Sequence, residues 1–153
     1  MFILDTERLR LREFTPQDAP FLRALTSDQL NALDSDQIGA LTTTQVAALS
    51  TSQVSTMATD DVVALGTGQL RSMTTAQIAA LGSDQLNALN SDQIGALTTT
   101  QVGALTTGQL SNLSSDDLNA LNSGQIRALS TAQVSALTTA QVATMESADV
   151  QAL

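Results

Sequence analysis

Apolar side chains recur along most of this chain with a period of eight. From Leu25 onward every eighth residue is Leu or Met, through Leu33, Leu41, Leu49, Met57 and Leu65 to Met145 and Leu153, without a slip of register. Three residues before each anchor stands a second aliphatic, from Leu30, Ile38 and Val46 to Val150. One residue earlier stands Gln, replaced by Asp only at Asp61, Asp117 and Asp149. The second place of every octad is Ser or Thr, from Ser27 to Ser147, and the residue before the anchor is small, usually Ala. Residues 26–153 are thus sixteen octads of the form (Thr/Ser/Gly/Asn)-(Ser/Thr)-x-Gln-(Val/Ile/Leu)-x-Ala-Leu.

One unbroken helix cannot use this pattern. Eight residues at 3.6 per turn rotate the apolar pair by about 80° per repeat, so no single face could be buried by one partner. Short helices avoid the problem. The first octad position is drawn almost wholly from Thr, Ser, Asn, Asp and Gly, the favoured N-cap set, and Gln or Asp follows three residues later at capping-box spacing. Positions five and eight are three apart and share one face of a helix of about one and a half turns. The small residue between them leaves room for a neighbouring helix. A β-solenoid competes, because an even period preserves strand alternation and Val, Ile and Thr favour strands. Against it stand the helix-favouring Gln-x-x-Ala-Leu composition and the opposite parity of positions five and eight. The expected fold is an all-α repeat solenoid with one short helix per octad.

The repetition has an energetic reason. An octad buries two aliphatic side chains at roughly 1.5–3 kcal/mol each, while ordering its backbone costs on the order of 1–2 kcal/mol per residue. A lone octad therefore cannot fold, and stacking on neighbours must supply the difference. A longer period overlies the first: TSDQLNALDSDQIGALTTTQVAAL at 26–49 returns as GSDQLNALNSDQIGALTTTQVGAL at 82–105, together with Asp60-Asp61 as Asp116-Asp117 and Arg71 as Arg127. The offset of seven octads fits duplication of a gene segment, or seven octads per superhelical turn; the sequence leaves both open.

Composition narrows the chemistry. The chain of 153 residues is 42% apolar but only 2% aromatic, and it has no Cys, His, Trp, Tyr or Lys. Disulfides, thiolate chemistry and imidazole ligation are excluded by inventory. The net charge of −9 arises after residue 25, where only Arg71 and Arg127 oppose eleven carboxylates. Such a surface repels phosphate backbones and anionic lipid, so neither nucleic acid nor membrane is an expected partner. No stretch has the apolar length of a membrane span, and the charged start does not read as a secretory signal.

The stretch ALSTAQVSALTTAQVATMESADVQAL resembles the Thr-Thr-x-Gln-Val-x-Ala-Leu tracts of very large bacterial surface or secreted proteins, often labelled as haem-utilisation or adhesion proteins. The resemblance covers residues 26–153 and implies an extracellular spacer or adhesive role, with no catalytic or haem-binding residue to carry over. Haem ligation here would fall to Met57, Met73 or Met145, which occupy the anchor place and read as core. No cofactor is expected. The opening LDTERLRLREFTPQDAPFLRAL resembles the first strand and helix of GNAT-type N-acetyltransferases. Leu9 and Leu11 alternate with Arg8, Arg10 and Arg12 as in a half-exposed strand, and Thr15, Pro16 and Asp18 make a helix start. The glycine-rich cofactor loop of that family has no counterpart, so the activity is not implied. Residues 1–25 read as a strand–helix cap, with Leu22, Ala24 and Leu25 in phase with the octads of 26–153.

The remaining polar candidates are modest. Asp60, Asp61, Asp116 and Asp117 are the candidate Ca²⁺ ligands, although Ca²⁺ takes six to eight oxygens; Asp61 and Asp117 equally stand where the cap-supporting Gln does. The Thr42-Thr43-Thr44 and Thr98-Thr99-Thr100 ladders invite an ice-binding or glycan-bearing surface, yet helix starts already account for them. The expected function is a non-enzymatic structural scaffold, a spacer or adhesive segment that self-associates. A Ca²⁺- or ice-binding module on a β-solenoid is the alternative. Homo-oligomers are expected through the N-terminal strand, whose edges are unpaired, or through the last octad, which has no polar cap.

Overall fold

The computed structural model of the chain describes residues 19–153. Seventeen α-helices follow one another among the described residues: Ala19–Ala24, then one in each octad from Ser27–Leu30 to Ser147–Val150. Each is four to six residues long. No strand lies among the described residues, so the β-solenoid alternative falls away. The expected N-terminal strand, and the helix start at Thr15, lie outside them.

Helices this short are marginal in isolation, and both ends are secured by side chains. In most octads the position-one hydroxyl or carboxamide accepts from the Gln backbone N–H at position four, while the Gln Oε1 accepts from the position-one N–H. Gly66 and Gly82 supply only the backbone half of this box. Termination needs no left-handed residue, since no residue among those described has positive φ. Instead the anchor turns extended and the next cap is extended too, as at Leu49 (φ −60, ψ 145) and Ser50 (φ −76, ψ 158). Two extended residues redirect the chain into the next helix.

Positions five and eight build one continuous core, as the three-residue spacing implies. Each such residue from Leu22 through Ile126 is buried. Leu22 and Leu25 belong to it, so the helix Ala19–Ala24 is the first layer of the array. That helix packs against Thr43–Ala48; likewise Ser35–Gly39 packs against Thr59–Ala64 and Ser83–Ala88 against Thr107–Asn112. Every helix therefore meets the one three octads further on. Hydrogen bonds also reach back four octads, which puts the superhelical turn near 28 residues, the sequence separation of the inter-turn bonds. Seven octads thus make two turns rather than the one entertained from the sequence. Asp61 and Asp117 consequently lie two turns apart along the solenoid.

The close approach between turns falls at position six as well as position seven. A Cβ on Gly95 would come within 2.9 Å of the Ala120 carbonyl oxygen, and one on Gly39 within 3.1 Å of the Ala64 carbonyl oxygen. Where position six is Asn, the side chain uses the same carbonyl: Asn31, Asn87 and Asn119 donate to Thr56, Asn112 and Thr144 at 2.8, 2.8 and 3.0 Å. The helix C-terminus three octads on thereby gains a donor.

Candidate functional site

The most organised polar feature is a ladder of buried Gln side chains at position four. Gln45, Gln53, Gln77, Gln101 and Gln141 are at most 3% exposed. Burying an amide without partners is costly, so all of its hydrogen-bonding capacity must be met. Gln101 illustrates how. Its Oε1 accepts from the Thr98 backbone N–H at 2.8 Å, and its own N–H donates to Thr98 Oγ1 at 3.2 Å. Its Nε2 donates to the carbonyls of Leu70 and Met73, both at 2.8 Å, one turn back. Gln77 treats Val46 and Leu49 in the same way (2.9 and 2.7 Å), Gln109 treats Ile78 and Leu81 (both 2.8 Å), and Gln141 treats Leu110 and Leu113 (2.7 and 2.9 Å).

These carbonyls are the ones a helix C-terminus leaves without intrahelical partners. The position-five oxygen already accepts from its anchor N–H, as Leu70 does from Met73 at 3.2 Å, and the Gln amide fills its second lone pair. The anchor carbonyl, turned out of the helix, receives the other amide hydrogen. One side chain therefore closes the N-terminus of its own helix and the C-terminus of another. The capping-box spacing of the sequence accounts only for the first role. The overlooked signal is the absence of Glu at position four in all sixteen octads, since a capping box accepts Glu as readily as Gln. Only the amide can donate to the turn behind.

Asp interrupts the ladder three times. Asp61, Asp117 and Asp149 are 5–6% exposed, one methylene shorter than Gln, and unable as carboxylates to donate. Asp61 accepts from Ser35 Oγ at 2.9 Å across the turn, and Asp117 Oδ2 from Ser114 Oγ at 2.7 Å within its own cap. Neither supplies the reciprocal bond to the cap N–H. Asp61→Gln should restore it, together with the bonds to the Leu30 and Leu33 carbonyls, at the loss of the Ser35 contact. We expect a gain of about 1–2 kcal/mol in unfolding free energy, read from urea denaturation; an unchanged or lower midpoint would contradict the ladder's energetic role.

As metal ligands the Asp pairs are poorly placed. Asp60 and Asp116 point to solvent while Asp61 and Asp117 are buried behind them, and no group of three or more carboxylates gathers among the described residues. Met57 and Met73 are buried in the core and Met145 packs against it half-buried. Thr43, Thr44, Thr99 and Thr100 are exposed at helix starts, and Arg71 and Arg127 are exposed at position six. A shallow groove where octads meet, lined by Ser55, Met57, Thr59, Ser83, Asp84 and Gln85, holds one carboxylate. No helix among the described residues is long and apolar enough to cross a membrane.

The residues that define this architecture coincide with a known motif. Ala136-Leu137-Thr138-Thr139-Ala140-Gln141 runs from the small residue and anchor of one octad through the cap of the next to its ladder Gln. The model of the ALTTAQ repeat matches residues 22–51, 54–91, 62–99, 86–115 and 110–147. No curated protein and no solved structure matches the chain. Over most of its length, from the first core layer to the last complete turn of the ladder, the chain belongs to the ALTTAQ repeat family.

Proposed function

We propose that the chain is a non-enzymatic structural scaffold: a stiff solenoid rod whose length is set by its number of octads and which holds apart, or joins, whatever lies at its ends. The observation that carries this reading is the ladder, which ties successive turns by paired amide bonds from Gln53 to Gln141. A rod of identical short layers gains length without new long-range contacts. Its chemistry fits the role, with no Cys, His, Lys, Trp or Tyr and an acidic face unsuited to nucleic acid or anionic lipid. The resemblance to tracts of large surface or secreted proteins favours a spacer or adhesive setting outside the cell. Residues 1–25 would then serve as the cap from which the array of 26–153 starts.

Small-angle scattering on this chain and on a version with residues 82–137 duplicated tests the reading. That insert adds seven octads, hence two turns. The cross-section should stay constant while the longest dimension grows in proportion to the added turns. Growth of the radius of gyration with an exponent near the compact-domain value of about 0.38 would sink it.

A further inference from the structure

A turn of 28 residues gives the 56-residue sequence period a geometric consequence. Octads seven apart lie two turns apart in one row along the rod. The octads beginning at 26 and 82 share a row, those at 34, 90 and 146 share another, and those at 58 and 114 a third. Each octad advances by eight residues of the 28, about 103° around the axis, so the third row falls midway between the first two. These three rows hold all eleven side-chain carboxylates of residues 26–153. The acidic charge is thus confined to one face of the rod. Beside it, half an octad past the row of 34 and 90, lies the row of 66 and 122. This row carries Arg71 and Arg127, which are the only cations of residues 26–153. Both are exposed, and no ion pair joins either to a carboxylate among the described residues.

The edge formed by these two neighbouring rows is self-complementary. Arg71 and Arg127 are 56 residues apart, and so are Asp36 and Asp92 in the adjoining row, so both pairs span two turns. Asp36 and Asp92 are exposed as well. From this charge complementarity we infer that the chain pairs side by side, antiparallel, with a second copy of itself along this edge, which extends the scaffold reading from a single rod to a closed pair. With the two-fold axis at the height of Leu81, Arg71 faces Asp92 of the second copy and Arg127 faces its Asp36. The symmetry repeats both contacts and closes the assembly at two. Position three of the Arg-bearing octads is Gly68 and Gly124. A Cβ on Gly68 would meet nothing within 4 Å, so the fold itself does not call for glycine there, and bare backbone lets the second rod approach. The next acidic row, of octads 58 and 114, then lies opposite the uncharged octads 42–49 and 98–105 of the other copy. Charges further round each rod are damped by salt over about 10 Å. A parallel pair does not match, because at equal heights each Arg stands most of a turn from either Asp.

The test exchanges the charges. Arg71→Glu with Arg127→Glu sets carboxylates against carboxylates at all four contacts, and Asp36→Arg with Asp92→Arg sets guanidiniums against guanidiniums. All four positions are exposed, and circular dichroism matching the parent establishes that both variants fold. Sedimentation equilibrium on the full chain at about 20 mM salt should show a mass average that rises with concentration to the dimer and stops, and the dimer should weaken at about 0.5 M. Each variant alone should associate roughly a hundredfold more weakly, as expected when four exposed ion pairs become repulsions. Mixed together, the two variants should form a one-to-one dimer, because every Glu of one then meets an Arg of the other and the remaining native charges still match. A parent that stays monomeric, a dimer indifferent to salt, variants that associate alone as the parent does, or a mixture that does not pair would each overturn the inference. The lengthening of the rod measured by scattering would stand unaffected, so the two readings fail separately.

Discussion

Gln101→Glu is expected to lower the unfolding free energy by about 3–5 kcal/mol, the range for an unpaired charge left in a buried polar site, while Gln29→Glu costs less than about 1 kcal/mol. The two substitutions are chemically identical and the caps survive both, because a carboxylate accepts from the cap N–H as the amide does. The environments differ. Gln101 is 3% exposed with its Nε2 between the Leu70 and Met73 carbonyls at 2.8 Å, so the substitution sets a carboxylate oxygen against two carbonyl oxygens. Gln29 is exposed and donates to no other turn among the described residues. Urea denaturation followed by circular dichroism separates the two cases, and equal losses would show that position four matters only as a cap. The pH dependence adds a second readout. At position 101 the fold favours the protonated carboxyl, which can donate, so the folded-state pKa lies above the unfolded value near 4.3. The deficit relative to the parent should be smallest below that unfolded value and should widen as pH rises through the folded one.

Deleting a complete octad is expected to be milder than deleting one residue. Without residues 90–97, each later octad shifts back by one and meets an equivalent neighbour; Gln125, for example, exchanges the Gly95 and Leu97 carbonyls for those of Leu86 and Leu89. Burial and ordering entropy leave together, so the change should approach the net stability of eight residues, on the order of 1 kcal/mol. Deleting Ala104 alone has no such remedy. Val102 and Leu105 become two residues apart, about 200° around a helix, and cannot share a face. Leu105, 4% exposed, leaves the core, and its carbonyl loses the 2.7 Å bond from Gln133. Losing that burial and the bond together should cost at least about 3 kcal/mol. Thermal melts of the two deletions give the ranking, and the reverse order would contradict a core assembled octad by octad.

Both predictions separate local from tertiary information, and the sequence carries the local part well. Caps at Thr42, Ser50 and Thr98, helix lengths of about six residues, and burial at positions five and eight follow from spacings shorter than one octad. At that distance hydrogen-bond chemistry and helical periodicity leave one solution. The inclusion of Leu22 and Leu25 as a first layer is legible for the same reason, since they keep the octad phase.

The turn is a different matter. Whether an octad meets its third, fourth or seventh successor depends on the angle at which two extended residues, such as Leu49 and Ser50, redirect each helix. Small changes in that angle accumulate around the turn, and no single residue encodes them. The 56-residue sequence period therefore left one turn open as a reading, beside plain duplication, where packing makes two. The second role of Gln was hidden by the same ignorance, because a donor aimed 28 residues back has meaning only once the turn is closed. The sequence by itself determined the helices, their caps and the apolar stripe, which arise from contacts within one octad. Only the tertiary structure decided how many octads close a turn and what the ladder amides bind, because both depend on groups brought together from separate turns.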